Sequence, residues 1–142
     1  MKKNNIYKAD KTLSIPIELY LTSIQAGFPS PADDHLDIVL DLNEYLIKHP
    51  SATFYIYVKG DSMINDGIYN GDIMIVDRAL SPQSKDIVIA VIDGEFTVKR
   101  IYKKNNKVYL HPSNKNYKTI CVTNEMDFKV WGVVTHTIHH CK

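Results

Sequence analysis

A serine hydroxyl and a lysine amine can together cut an acyl bond, and this chain carries both in suggestive settings. Ser62 lies in Gly60-Asp61-Ser62-Met63, at the end of an apolar run. Lys99 lies in Glu95-Phe96-Thr97-Val98-Lys99-Arg100, just past Asp93-Gly94. A serine hydroxyl is a weak nucleophile until a base takes its proton. Lysine is that base only when neutral, and its ordinary pKa of ~10.4 forbids this at neutral pH unless the amine is desolvated. Burial among apolar side chains lowers a lysine pKa by as much as ~3–5. Upstream, Ala26-Gly27 suggests a bond for them to cut, though an Ala-Gly dipeptide is common and carries little by itself.

The elements that must position these groups are mostly strands. Thr53–Val58 is aromatic and β-branched. Gly60 then permits a sharp exit, after which the backbone amides of Ser62 and Met63 can face an oxyanion. Asn70-Gly71 marks a tight turn before Ile73–Val76. Ile87–Ile92 is apolar on both faces and reads as a central strand covered on both sides. Asp93-Gly94 predicts a two-residue hairpin loop, since both positions tolerate positive φ. Phe96–Tyr102 is the return strand, so Lys99 pairs with Val88 and shares its face with Thr97 and Ile101. That face predicts an amine among Val and Ile, with no carboxylate within salt-bridge reach. Lys107–His111 and Lys129–Ile138 supply two more strands.

Before Thr53 the pattern changes. Residues 1–37 hold Pro16, Pro29 and Pro31 of the six prolines, and Gly27-Phe28-Pro29-Ser30-Pro31 cannot continue a helix. They read as an extended arm lying on the domain or on a partner. Asp41 reads as a helix N-cap, with Leu42, Tyr45 and Leu46 as one apolar stripe and a stop near His49 ahead of Pro50. The fold class is therefore mainly β: an antiparallel domain, residues 38–142, with one short helix and a cleavable N-terminal arm, residues 1–37.

The bulk numbers fit one modest domain plus a tail. The chain has 142 residues, 44% hydrophobic and 23% charged, and a net charge of +1 that makes no case for nucleic-acid binding through a basic surface. No run has the length of a membrane helix. The basic start, Met1–Lys8, is followed by no apolar core and is a poor secretory signal. Cys121 and Cys141 are too few for a disulfide framework, so a cytoplasmic protein with reduced thiols is expected.

On composition and spacing alone, Ser62 reads first as a turn former and Lys99 first as a solvated strand residue, ahead of any peptidase role. What adds to them is a pattern running from about Gln25 to Val134. It comprises Ala26-Gly27-Phe28-Pro29-Ser30-Pro31-Ala32, His49-Pro50-Ser51-Ala52-Thr53, Gly60-Asp61-Ser62-Met63-Ile64, Gly71-Asp72 and Ile75-Val76-Asp77. It continues through Asp86–Ala90 and Asp93–Lys99 and closes on Gly132-Val133-Val134. In these stretches the chain resembles the LexA-like Ser-Lys peptidase family, and within it the UmuD-type self-cleaving subunits of SOS-induced translesion polymerases. Two positions depart from the family's habit: Ala-Gly stands where the UmuD type often has Cys-Gly, and Lys85 stands where glycine is frequent.

The resemblance implies a role for each residue. Ser62 falls on the family's nucleophile, Lys99 on its general base, and Ala26-Gly27 on its self-cleavage site. It implies a β-rich, LexA/signal-peptidase-like fold with the catalytic groups in a cleft. It also implies stimulation by a RecA–single-stranded DNA filament, and a trimmed homodimer that serves a Y-family, UmuC-like polymerase subunit in error-prone translesion synthesis. Only 26 residues precede Gly27, and they include Pro16, so a helix-turn-helix domain and sequence-specific DNA binding are not expected. Signal peptidases share the chemistry but carry a membrane anchor, which no run here supplies. The competing functions are a non-catalytic dimeric binding module that retains the fold, and a protease acting on other proteins.

Three further clusters have plainer readings. His136, His139, His140 and Cys141 are metal-ligand types, but a frayed terminus is expected there, with no metal or cofactor. Lys99-Arg100, Lys103-Lys104 and Lys107, with Tyr102 and Tyr109, read as a solvated hairpin before a nucleic-acid surface. Ile15–Leu19 has the character of a peptide that docks on a sliding clamp, with packing on its own domain preferred.

Overall fold

The computed structural model describes residues 6–8, 16–20, 26 and 36–142. Ten strands and one short α-helix follow in order: β1 Ile6–Lys8, β2 Pro16–Tyr20, β3 Leu36–Asp41, α1 Leu42–Leu46, β4 Thr53–Tyr57, β5 Ile73–Asp77, β6 Ile87–Ile92, β7 Glu95–Lys104, β8 Lys107–His111, β9 Ile120–Cys121 and β10 Phe128–Ile138. Single 3-10 turns occupy Pro50–Ala52 and Ile64–Asp66. Eight strands form one sheet in the order β1-β4-β5-β10-β6-β7-β8-β9, and β2 pairs with β3 in a second. Every pairing is antiparallel. The expected β-rich architecture is observed.

β6 is the interior strand its apolar run predicts. Val88, Ile89 and Ala90 are all buried, and successive residues of a strand face opposite sides. Ile89 joins Val58, Met63, Ile68, Met74 and Val76 in one core cluster. Val88 and Ala90 join Ile101, Leu110 and Val133 in the other. β10 inserts between β5 and β6, with a register shift against β6 between Val130 and Gly132. A Cβ on Gly132 would sit 2.6 Å from Cγ1 of the fully buried Val76, so this crossing requires glycine.

The turns follow local chemistry. Asp93 (φ 49°) and Gly94 (φ 82°) form the expected two-residue loop between β6 and β7. Asn105 (φ 51°) and Asn106 (φ 59°) do the same between β7 and β8, where Lys104 faces Lys107.

The N-terminal half departs from expectation in detail. The segments read as an extended arm do pair as strands: β1 lies antiparallel on β4, Ile6 opposite Ile56, and β2 lies on β3, Pro16 opposite Asp41. β3 runs across the boundary drawn between residues 37 and 38. Asp41 is the N-cap, its Oδ1 accepting from the Asn43 amide at 3.0 Å. The helix, however, ends at Leu46 rather than near His49. Ile47 turns extended (φ −113°, ψ 101°) and is 1% exposed. Burying an isoleucine is worth about 1.5–3 kcal/mol, and the Ile47 amide still donates to the Asn43 carbonyl at 3.0 Å. The expected apolar stripe is a correction: Leu42 is 51% and Tyr45 55% exposed, because five residues make little more than one turn and Ile47 takes the buried place.

The C-terminal end is tethered rather than frayed. His139 Nδ1 lies 2.6 Å from Oδ1 of buried Asp72, and its ring packs against Tyr69 at 5.1 Å. Among the described residues no group of three or more His, Cys, Asp or Glu could hold a metal ion. No helix among the described residues is long and apolar enough to cross a membrane. The basic hairpin is only partly solvated, since Arg100 binds Asp66 and Lys103 Nζ donates to the Pro82 carbonyl at 2.8 Å.

Candidate active site

The β6–β7 hairpin sets Lys99. Its two-residue loop fixes the register, Lys99 faces Val88, and Thr97 follows on the same face. Lys99 is 7% exposed. Its Nζ donates to Thr97 Oγ1 at 2.9 Å, to the Val98 carbonyl at 3.1 Å and to Ser62 Oγ at 3.3 Å. Among the described residues no carboxylate lies within 4.0 Å of that nitrogen. Burial therefore acts unopposed and lowers the Lys99 pKa from the usual lysine range. An ammonium fills all three contacts with its three hydrogens; a neutral amine donates two and turns its lone pair to the third. The Val98 carbonyl can only accept, so the lone pair of a neutral amine is left to face the hydroxyl of Thr97 or of Ser62.

Ser62 arrives by a different route. β4 ends at Tyr57, buried Val58 exchanges hydrogen bonds with Gly71 (2.9 Å) and Asp72 (2.8 Å), and the chain turns at Gly60, where φ is +96°. The Gly60 amide donates to Asn70 Oδ1 at 2.9 Å. Met63 follows Ser62 and is 1% exposed in the first core cluster. It plants the half-buried Ser62 beside the core, while the 3-10 turn Ile64–Asp66 closes behind it. Among the described residues the amides of Ser62 and Met63 donate no hydrogen bond, which leaves them available to an oxyanion.

Polar contacts that the sequence reading missed hold this segment from two sides. From β7, Arg100 forks onto Asp66, Nη2 to Oδ1 at 2.9 Å and Nε to Oδ2 at 3.2 Å. From the loop between β8 and β9, Ser113 Oγ donates to Asp66, and the Ser113 carbonyl accepts from the Asn65 amide at 2.8 Å. Burial alone would raise the Asp66 pKa, but the hydrogen bonds from Arg100 and Ser113 and the guanidinium charge outweigh it and hold the carboxyl below its usual range. Asn114 Nδ2 donates to the Asp61 carbonyl at 2.9 Å, and Tyr117 Oη donates to Asp61 Oδ1 at 2.6 Å. No spacing rule links a turn such as Ser113–Tyr117 to a loop some fifty residues earlier, and Asn114 reads from sequence as an ordinary turn residue.

The structure brings Ser62 and Lys99 together as their motifs predict. Ala26 lies in an exposed bend, and Gly27 lies outside the described residues. The assembled groups are a hydroxyl, a buried amine with no counter-ion among the described residues and two amides with no acceptor among them, which together suit nucleophilic attack on a carbonyl.

Comparison with known proteins agrees. Residues 18–135 match the family model described as peptidase S24-like. The chain is 46% identical over 126 residues to protein ImpA of Salmonella typhimurium, covering 87% of this chain and 84% of that one. It is 41% identical over 131 residues to protein MucA of Escherichia coli, covering 92% and 88%. It is 34% identical over 128 residues to LexA repressor 1 of Geobacter sulfurreducens, covering 89% of this chain and 61% of the repressor. With the match spanning most of its length, the chain belongs to the peptidase S24-like family.

Proposed function

We propose that this protein is a self-cleaving serine peptidase whose nucleophile is Ser62, whose general base is Lys99 and whose substrate is its own Ala26–Gly27 bond. The observation that carries this reading is the 3.3 Å approach of a buried lysine amine, free of any described carboxylate, to the Ser62 hydroxyl. Neutral Lys99 accepts the Ser62 proton as Oγ attacks the Ala26 carbonyl carbon. The amides of Ser62 and Met63 take the negative charge that develops on the carbonyl oxygen. The intermediate collapses, the C–N bond breaks, and the Gly27 nitrogen leaves with the proton held by Lys99. Water then attacks the acyl-enzyme carbonyl, giving a proton to Lys99, which passes it to Ser62 Oγ as the ester C–O bond breaks and the free acid leaves. Cleavage in cis or from a second copy would use the same steps.

The arm spans residues 1–37 and the peptidase domain 38–142, with β3 as the seam. Restraint comes from a small population of the docked arm, which a RecA–single-stranded DNA filament raises by binding that conformer. The cut carries away β1 and β2, which pair with β4 and β3. Removing them uncovers sheet edges able to pair with new strands. The trimmed homodimer then serves a Y-family translesion polymerase in DNA-damage-induced mutagenesis, in the cytoplasm and without a cofactor.

Purified full chain incubated at alkaline pH, with intact-mass detection, tests this reading. A product beginning at Gly27, absent from Ser62→Ala and Lys99→Ala chains, is expected. Cleavage that persists in either variant overturns it, and an intact chain even with activator points to a binding module.

A further inference from the structure

The loop between β8 and β9 holds a buried polar side chain that the steps above do not use. Asn114 is 6% exposed. A buried amide is costly unless its hydrogen bonds are made, and here one is made within its own loop and one to the Ser62 loop. Oδ1 accepts from the Asn116 amide at 3.0 Å, and Nδ2 donates to the Asp61 carbonyl at 2.9 Å. The Tyr117 amide donates to the Asn114 carbonyl at 3.1 Å, and the Tyr117 hydroxyl returns to Asp61 Oδ1 at 2.6 Å. One short loop thus grips both the main chain and the side chain of the residue before Ser62.

The peptide unit turns this grip into aim. The Asp61 carbonyl and the Ser62 N–H belong to one planar group and point in opposite directions across a trans bond. No peptide bond among the described residues is cis. Whatever fixes the direction of the Asp61 oxygen fixes the direction of the Ser62 N–H. The local turn holds that oxygen weakly, through the Ile64 amide at 3.3 Å, and Asn114 supplies the shorter bond. The Ser62 amide meanwhile has no acceptor among the described residues.

We infer that Asn114 is a positioning residue for the oxyanion site: by pinning the Asp61 carbonyl, it aims the Ser62 N–H at the oxygen of the scissile carbonyl. This rests on the self-cleavage reading, but its geometric half can be tested apart from it. Asn114 makes no described contact with Lys99, whose amine is held by Thr97, Val98 and Ser62. Its loss therefore slows the chemistry without altering the base.

The test uses the full chain with Asn114→Ala and Asn114→Asp. The second keeps an acceptor for the Asn116 amide and exchanges the donor for a carboxylate, whose charge also acts on Lys99, so if the first does not fold the second is judged by its alkaline plateau and its Ser62 coupling. First-order self-cleavage is followed by intact mass across pH, and the Ser62 N–H residual dipolar coupling is measured by NMR. Complete removal of an oxyanion donor costs about a hundredfold to a thousandfold, so misdirecting one should slow cleavage about tenfold to a hundredfold. That slowing is expected at every pH in Asn114→Ala, with the midpoint of the profile unmoved and the Ser62 coupling changed. A folded variant that cleaves within about twofold of the parent, or whose midpoint moves while its alkaline plateau holds, overturns the inference. A parent chain that never cleaves itself overturns the self-cleavage reading instead. In that case the coupling alone decides, and an unchanged Ser62 N–H direction in a folded variant overturns the pin.

Discussion

On the proposed self-cleavage reading, replacing Thr97 by valine should speed cleavage near neutral pH. Valine keeps the branched shape and suits a strand, so the β6–β7 register is preserved. What it removes is the shortest of the three contacts to Lys99 Nζ, the 2.9 Å bond to Thr97 Oγ1, beside 3.1 and 3.3 Å for the others. A hydrogen bond from a charged donor is worth about 1.5–3 kcal/mol, and from a neutral donor about 0.5–1.5 kcal/mol. The Thr97 hydroxyl thus favours the ammonium over the amine by about 1 kcal/mol. Its loss pushes Lys99 in the direction burial already takes it, toward the neutral form. At 1.36 kcal/mol per tenfold, about 1 kcal/mol raises the neutral fraction about fivefold wherever most of the lysine is still charged. Below the midpoint of the pH–rate profile the cleavage rate follows that fraction, so the rate should rise about fivefold there. At the alkaline plateau, where Lys99 is already neutral, the two chains should cleave alike. First-order rates from intact-mass spectra across pH read both limbs. Slower cleavage at neutral pH, or an equal acceleration at every pH, would refute a base whose protonation is set by burial against its hydrogen bonds.

Other changes read out the packing around the site. Gly132→Ala forces a Cβ to within 2.6 Å of buried Val76 and 3.2 Å of Arg78 Cγ; overpacking of about 1–3 kcal/mol should lower the melting temperature by about 3–10 °C, measured by calorimetry, and an unchanged melt would mean that β10 can shift. Met63→Ala opens a cavity beside Val58 and Ile68, so denaturant unfolding should show a loss of about 2–5 kcal/mol, with slower self-cleavage as Ser62 loses its anchor. Lys99→Met tests the buried charge through stability. Below the lowered folded-state pKa both folded and unfolded chains carry the proton, and the folded one bears the cost of burying it. Between the folded and unfolded values the unfolded chain holds more protons, so parent stability climbs with pH, and above both the cost is gone. The stabilising effect of Lys99→Met should therefore be largest below the lowered folded-state pKa and fade as pH rises past the ordinary lysine value of ~10.4; an advantage that grows with pH would contradict a depressed lysine.

The strands of the domain were legible because their signals are local. Ile87–Ile92 announced an interior strand by having no polar face, and Val88, Ile89 and Ala90 are buried on both sides. Asp93-Gly94 announced the loop length, and the loop length alone places Lys99 opposite Val88. Lys85, read as standing in place of a glycine, has a φ of 81°, in the left-handed region that glycine adopts freely. The helix was less legible, since its apolar stripe suggested a buried face while the burial went to Ile47, one residue past its end. The two-residue β9 and the pairing of β1 with β4 escaped because segments that short carry no periodicity to read.

The candidate site divides along the same line. Ser62 and Lys99 could be paired in advance because each sits in a motif and the family supplies the partnership. The groups that hold them could not, because their contacts join residues far apart in sequence. Arg100 is adjacent to Lys99 in the chain, yet it faces the other side of β7 and grips Asp66, four residues past Ser62. One strand thereby presents the Lys99 amine on one face and a tether for the Ser62 loop on the other. The separation of hydroxyl and amine is thus held through β7 itself, as well as through the core beneath Met63. A substitution that loosens Arg100 should change the reaction rate without touching either reacting atom.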